Sequence, residues 1–178
     1  MGLETTRLPL GTPEDQNHVP ILVSKGIESK SRIVVVFGER NQDLGVFSYR
    51  VIGDSGLTVG SALEFANAVL YGPIPGPSQD APGLVITNPG QLLWYRGGQR
   101  AVTRANWANL PRPSAVHDAL KIDENKNKIP GNRDYVEHIQ YVFENVLGSM
   151  THKDASFDII GLEYTGAAVL EYLSEHCK

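Results

Sequence analysis

A chain of 178 residues, 41% hydrophobic and 20% charged, is long enough for one domain with a substantial core and has the composition of an ordinary globular protein. The net charge of −4 excludes a protein that is basic throughout, and the single cysteine, Cys177, excludes an internal disulfide framework or a cysteine-cluster metal site. No apolar run approaches the roughly 20 residues needed to span a bilayer, and the opening MGLETTRLPLGTPEDQ lacks a signal peptide's apolar stretch, so an intracellular compartment, nuclear or cytoplasmic, is expected and no membrane.

Residues 1–18 read as a flexible polar arm, and residues 19–178 as a single α/β domain. Residues 19–23 (VPILV) form a short strand candidate. Residues 32–38 (RIVVVFG) put four apolar β-formers in a row before a glycine, the pattern of a strand buried on both faces of a parallel sheet. Residues 53–60 (GDSGLTVG) read as a glycine-rich loop. A helix follows, with Val59, Ala62, Leu63, Ala66, Val69 and Leu70 on one stripe, and Ser61 and Glu64 at capping-box spacing. Residues 73–82 (PIPGPSQDAP) are a surface connection, and residues 83–88 (GLVITN) a second buried strand. Residues 91–133 are expected as a long loop insertion. A helix over 134–147 carries Tyr135, Ile139, Val142, Phe143 and Val146 at helical spacing, with Gly148 as its stop. Residues 157–162 are the third strand, and 165–176 the last helix. Alternating strands and helices predict a mostly parallel sheet with helices on both faces. Val34, Val36, Val85, Ile86, Ile159 and Ile160 are its expected core.

The stretch FDIIGLEYTGAAVLEYL runs from a strand into a helix through a glycine-flanked corner. An α/β-hydrolase keeps its nucleophile at such a corner, in the pattern G-x-S-x-G. Here Gly161 and Gly166 flank the bend, and Glu163 stands where a serine would sit. The fifteen residues after Glu163 hold one histidine, His176, and the first strand's exit reads Phe37-Gly38-Glu39-Arg40, which sets a carboxylate where an oxyanion would have to be stabilised. No catalytic residue is therefore expected, and the elbow reads as degenerate.

The segment LLWYRGGQRAVTRANWANLPRP brings Trp94, Tyr95, Arg96, Arg100, Arg104 and Trp107 together. No Asp or Glu occurs from Ala81 to His117, so this strip carries +4 while the rest of the chain carries −8. Arginine beside aromatics is the composition of protein hot spots and of single-stranded nucleic-acid platforms. The plainer alternative is a loop whose aromatics pack on the domain and whose arginines pair with acids elsewhere. A protein partner is preferred to RNA, because the acidic remainder of the chain would repel a long nucleic acid; a homodimer is a further alternative. No two histidines stand at i, i+4, so neither a metal nor a cofactor is expected, and His138 is expected to cap its helix or face solvent. GDSGLTVG lacks the Lys-Ser/Thr ending of a phosphate loop.

Four segments in order carry a family resemblance: PILVSKGIESKSRIVVVFG, SGLTVGSALEFANAVL, APGLVITNPGQ with its Asn88-Pro89 pair, and EHIQYVFENVL with its Glu137-His138 pair. Together they resemble the Arb2 domain family (Argonaute-binding protein two), which includes a fungal silencing subunit and the C-terminal domain of fungal class II histone deacetylases. The resemblance implies a truncated α/β-hydrolase-like fold, a Rossmann-like three-layer sandwich. Several family members keep His-Gly after the first strand and His-Ser at the elbow, where this chain has Phe37-Gly38 and Leu162-Glu163. What it implies is a non-catalytic interaction domain in a gene-silencing or chromatin assembly. The alternatives are a small hydrolase working through Glu163 and an RNA-binding module working through the Arg/Trp strip.

Overall fold

The computed structural model describes residues 2–73, 80–114 and 116–176. The expected connection over 73–82 therefore falls mostly outside the described residues, as does Cys177. In chain order the elements are β1 (Leu3–Leu8), β2 (Val19–Ser24), β3 (Arg32–Phe37), α1 (Tyr49–Ser55), α2 (Leu57–Gly60), α3 (Ala62–Tyr71), β4 (Gly83–Ile86), β5 (Leu93–Tyr95), β6 (Arg100–Val102), α4 (Arg104–Ala108) and α5 (Tyr135–Tyr141). The last of these continues through a π-helical segment, Val142–Leu147, into α6 (Gly148–Met150); β7 (Ser156–Gly161) and α7 (Glu163–His176) follow.

The main sheet has the order β1-β2-β4-β3-β7. Strand β3 pairs in parallel with β4 and β7, whereas β1–β2 and β2–β4 are antiparallel. The sheet is thus mixed rather than mostly parallel. The parallel part is the part read from the apolar runs; the antiparallel part comes from β1 and β2, which a polar connection joins. The expected N-terminal arm is also corrected. Leu3 to Leu8 pair residue for residue with Ser24 to Val19 as an edge strand, and Leu8 is fully buried. An edge strand whose residues before Leu8 are half-buried or exposed needs no continuous apolar run, which is why LETTRL reads as polar.

Helices cover both faces of the sheet. On one face Val34, Val36, Leu84 and Ile86 pack against Ala62 and Ala66 of α3. Ser61 caps this helix, its hydroxyl accepting from Leu63 N–H at 3.3 Å. On the other face Ile33, Val35, Phe37 and Val85 meet Ile139, Val142, Val146 and Val169. Asp134 caps α5, accepting from Val136 and Glu137 N–H, each at 3.0 Å. Phe37 stacks on Phe143 (5.3 Å between ring centroids), Phe143 on Tyr172 (4.7 Å), and Tyr172 on His176 (4.2 Å), so one aromatic ladder fastens α7 to the sheet.

Three local expectations change. GDSGLTVG is not a loop: Ser48 caps α1, and Gly56, at φ +92°, separates α1 from α2. Gly148 does not stop the helix, because its φ of −65° is helical and the chain runs on to Met150. Val34, Val36, Val85 and Ile86 are buried and Ile159 is partly buried, but Ile160 is 36% exposed. It lies on β7, which pairs only with β3 among the described residues, at the sheet's other edge.

Candidate functional site

The C-terminal ends of β3, β4 and β7 converge where α7 begins. The connection leaving β3 crosses to the α3 face, and the one leaving β4 crosses to the α5 face. That divergence is the topological switch point at which open α/β sheets place ligands.

The corner after β7 has the tight geometry expected of it. A Cβ on Gly161 would come within 2.5 Å of Gly166 Cα, and a Cβ on Gly166 within 2.8 Å of Gly161 O, so only glycine fits at either position. Glu163 takes φ +48°, the left-handed conformation that L residues with side chains adopt rarely. Thr165, fully buried, donates its hydroxyl hydrogen toward main-chain oxygens of both corners; Gly38 O lies 2.7 Å away and Leu162 O is also in contact. The start of α7 is thereby tied to the exit of β3. At the apex, Glu163 is exposed and makes no hydrogen bond or ion pair among the described residues. Glu39, expected at the position of an oxyanion loop, is buried and turned back on its own turn, accepting from Asn41 N–H at 2.8 Å and from the Asn41 side-chain amide at 3.1 Å.

At the exit of β4 the two residue pairs that carried the family resemblance meet. His138 is not a solvent-facing cap; it is completely buried. Its Nε2 accepts from Asn88 N–H at 3.2 Å, and its Nδ1 lies 2.6 Å from Asn132 Oδ1, which can only accept. The ring is therefore the neutral Nδ1–H tautomer, and burial pushes its pKa from 6.5 down to about 3. The Asn88 side-chain amide donates to Pro20 O and to Gln91 Oε1, each at 3.0 Å, while its oxygen accepts from Gln91 N–H. One asparagine thus joins β2, the exit of β4 and α5.

The expected partner-binding residues divide in two. Trp94 is 1% exposed and Trp107 is 6% exposed. Trp94 packs in the main core against His18, with ring centroids 4.8 Å apart. Trp107 sits with Leu93, Val102 and Leu110 in a satellite core, donates its indole N–H to Leu120 O at 2.7 Å and meets the half-buried Tyr95 edge-on. Neither tryptophan offers a free face for a base or a partner. The insertion at 91–133 is a β5–β6 hairpin and a helix built on these anchors rather than a plain loop. Arg96 and Arg100 flank the hairpin turn, exposed, and Arg104 opens α4; none of the three forms an ion pair with an acid among the described residues.

Reasoning from sequence missed a cavity at the switch point. It has a volume of about 330 Å³ and is bounded by the exits of β3 (Arg40, Asn41) and β4 (Pro89, Gly90), by Arg104 and by the segment leading into α5. The Arg40 guanidinium carbon lies 4.2 Å from the ring centre of Tyr164 and 5.5 Å from that of Tyr135. The corner residue Tyr164 and the α5 residue Tyr135 hold it at the mouth. Arg40 was visible only as part of an unpromising Glu39-Arg40 pair, and nothing in its spacing pointed to Lys128 or Arg133.

Among the described residues no helix is long and apolar enough to cross a membrane, and no group of three or more His, Cys, Asp or Glu could hold a metal ion. No curated protein and no solved structure matches the chain. The model of the Arb2 domain matches residues 1–178, the whole length, and with the Asn88–His138 contact binding the segments that resemble that family, the chain belongs to the Arb2 domain family.

Proposed function

We propose that this chain is a non-catalytic protein-interaction domain of a nuclear gene-silencing or chromatin-associated assembly. The observation that carries the proposal is the elbow. Its tight backbone geometry is present, yet the apex residue Glu163 has no hydrogen-bonding partner among the described residues. A carboxylate nucleophile needs a neighbouring acid or base to complete a reaction. His138 cannot serve, with no exposure and both ring nitrogens engaged. Membership in the Arb2 domain family supports the silencing or chromatin context. The hairpin arginines Arg96 and Arg100 are the surface offered to a protein partner. RNA is disfavoured, because the tryptophans that would stack on bases are in the cores and the remainder of the chain is acidic.

The test has two arms. The tagged chain recovered from nuclei of its own cells is expected to bring down silencing or chromatin proteins in stoichiometric amounts, and reversing the charge of Arg96 and Arg100 is expected to release them. Turnover of short-chain nitrophenyl esters that disappears in Glu163→Gln would show an enzyme instead.

A further inference from the structure

Three side-chain atoms are buried without a hydrogen-bond partner among the described residues: Arg40 Nε, Gln42 Oε1 and Thr87 Oγ1. All three belong to the exits of β3 and β4, and Arg40 lines the switch-point cavity. Buried polar groups are normally satisfied; of these three, Arg40 Nε and Thr87 Oγ1 can donate to an anion, whereas Gln42 Oε1 only accepts. The charge of the cavity is equally uneven. In a protein of net charge −4, its wall carries Arg40, Arg104, Lys128 and Arg133 against one acid, Asp134. Arg133 is neutralised by a two-pronged pair with Glu137, its Nη2 lying 2.9 Å from Glu137 Oε1. Asp134 is committed to the N–H groups of α5. Lys128 spends one of its three N–H donors on Arg133 O, at 2.6 Å, and Arg104 has no partner among the described residues. Three cations against one acid leave an excess of two positive charges around a cavity large enough for a small group.

We propose that this cavity binds a phosphate monoester group. A carboxylate would neutralise half of the excess, whereas a phosphate monoester brings about −1.5 to −2 and three acceptor oxygens. The tyrosine rings beside Arg40 hold its planar fork at the cavity mouth, the arrangement that suits bidentate contact with phosphate oxygens. The inference goes beyond the scaffold reading and is independent of it, because an interaction domain needs no phosphate site.

The experiment is isothermal titration of the full chain with inorganic phosphate, adenosine monophosphate and a phosphoserine peptide, at physiological ionic strength in chloride, with acetate as control. One saturable site with a Kd of about 1 mM or tighter for at least one phosphate is expected. Arg104→Gln and Lys128→Gln should each weaken it about tenfold, the effect of removing one charge-assisted contact. Arg50→Gln, exposed on α1 and outside the cavity wall, should leave it unchanged. Arg104 is exposed and unpartnered, so its variant should keep the thermal midpoint of the unliganded protein, which separates lost binding from lost folding. Tighter binding of the nucleotide or of the peptide supports the site and names its source, and equal affinity for all three supports a site for the phosphate group itself. The absence of saturable phosphate binding, acetate bound as tightly as phosphate, or an equal loss in Arg50→Gln would each overturn the proposal.

Discussion

Burial of His138 makes stability depend on pH in a window that few other groups share. The imidazole's pKa falls from 6.5 to about 3 because the folded protein offers the charged ring no water. Above pH 6.5 the ring is neutral in both the folded and the unfolded chain, and its contribution does not vary. Below pH 6.5 the unfolded chain takes up a proton that the folded chain refuses, so stability is lost as pH falls, until the ring also titrates in the folded protein near pH 3. The slope is at most about 1.4 kcal/mol per pH unit, so about 2 kcal/mol should be lost by pH 5, a large share of the 5–15 kcal/mol typical of a domain. The carboxylates with lowered pKa values, Asp123 and Glu137, begin to lose their contribution only as pH approaches 4.5, so the interval down to pH 5 belongs to the imidazole. Both groups in contact with the ring nitrogens, Asn88 N–H and the Asn132 amide, do not titrate. The assay is urea denaturation at about pH 7.5 and about pH 5, comparing the wild type with His138→Gln. The wild type should lose about 2 kcal/mol more than the variant over that interval. Parallel losses in the two proteins would refute the buried, neutral imidazole. If the variant is too unstable to measure, nitrogen chemical shifts of His138 at pH 5 decide the matter: a protonated ring refutes the reasoning, and an unchanged Nδ1–H tautomer sustains it.

Other expectations concern the elbow and the sheet. Gly166→Ala drives a methyl group into Gly161 O and should cost about 1–3 kcal/mol by chemical denaturation; a neutral effect would mean that the strand and helix do not cross so closely. Glu163→Gly removes a side chain from a left-handed position and should stabilise by about 1 kcal/mol, with loss of stability pointing to a contact that Glu163 makes in solution. Ile33→Ala, fully buried on the interior strand β3, should cost about 2–5 kcal/mol, and Ile160→Ala on the edge strand well under half of that. Equal costs would mean that β7 is covered in solution.

What was legible in the chain was local pattern. The uninterrupted IVVV of β3 and the LVI of β4 announced strands buried on both faces, and Ser61 marked a helix start that its hydrogen bond bears out. The edge strand β1 was illegible because LETTRL carries neither an apolar run nor a regular alternation, and only its pairing with β2 makes it a strand. The tryptophans were misplaced by the same limit: composition puts Trp94 and Trp107 beside arginines, but only the hairpin's packing shows that they face inward. The switch-point cavity was the least legible feature. Arg40, Arg104, Lys128 and Arg133 come from three separated stretches of chain, and what unites them is the order of strands in the sheet.

The crossing of Gly161 and Gly166 bears on how this domain can change over time. The close approach of strand and helix dictates the left-handed turn between them, so whatever residue occupies position 163 is presented outward at the apex. The backbone, and not the side chain, decides that exposure. Position 163 is therefore a socket: its occupant can be exchanged at a cost of about 1–2 kcal/mol or less while the glycines stay fixed. Tyr164, the next residue, reaches Arg40 at the cavity mouth, so exchanges at the socket alter the charge one residue from that mouth without disturbing the core beneath it. In a domain of this kind the chemistry displayed at the apex can drift freely, and the two glycines are what must be kept.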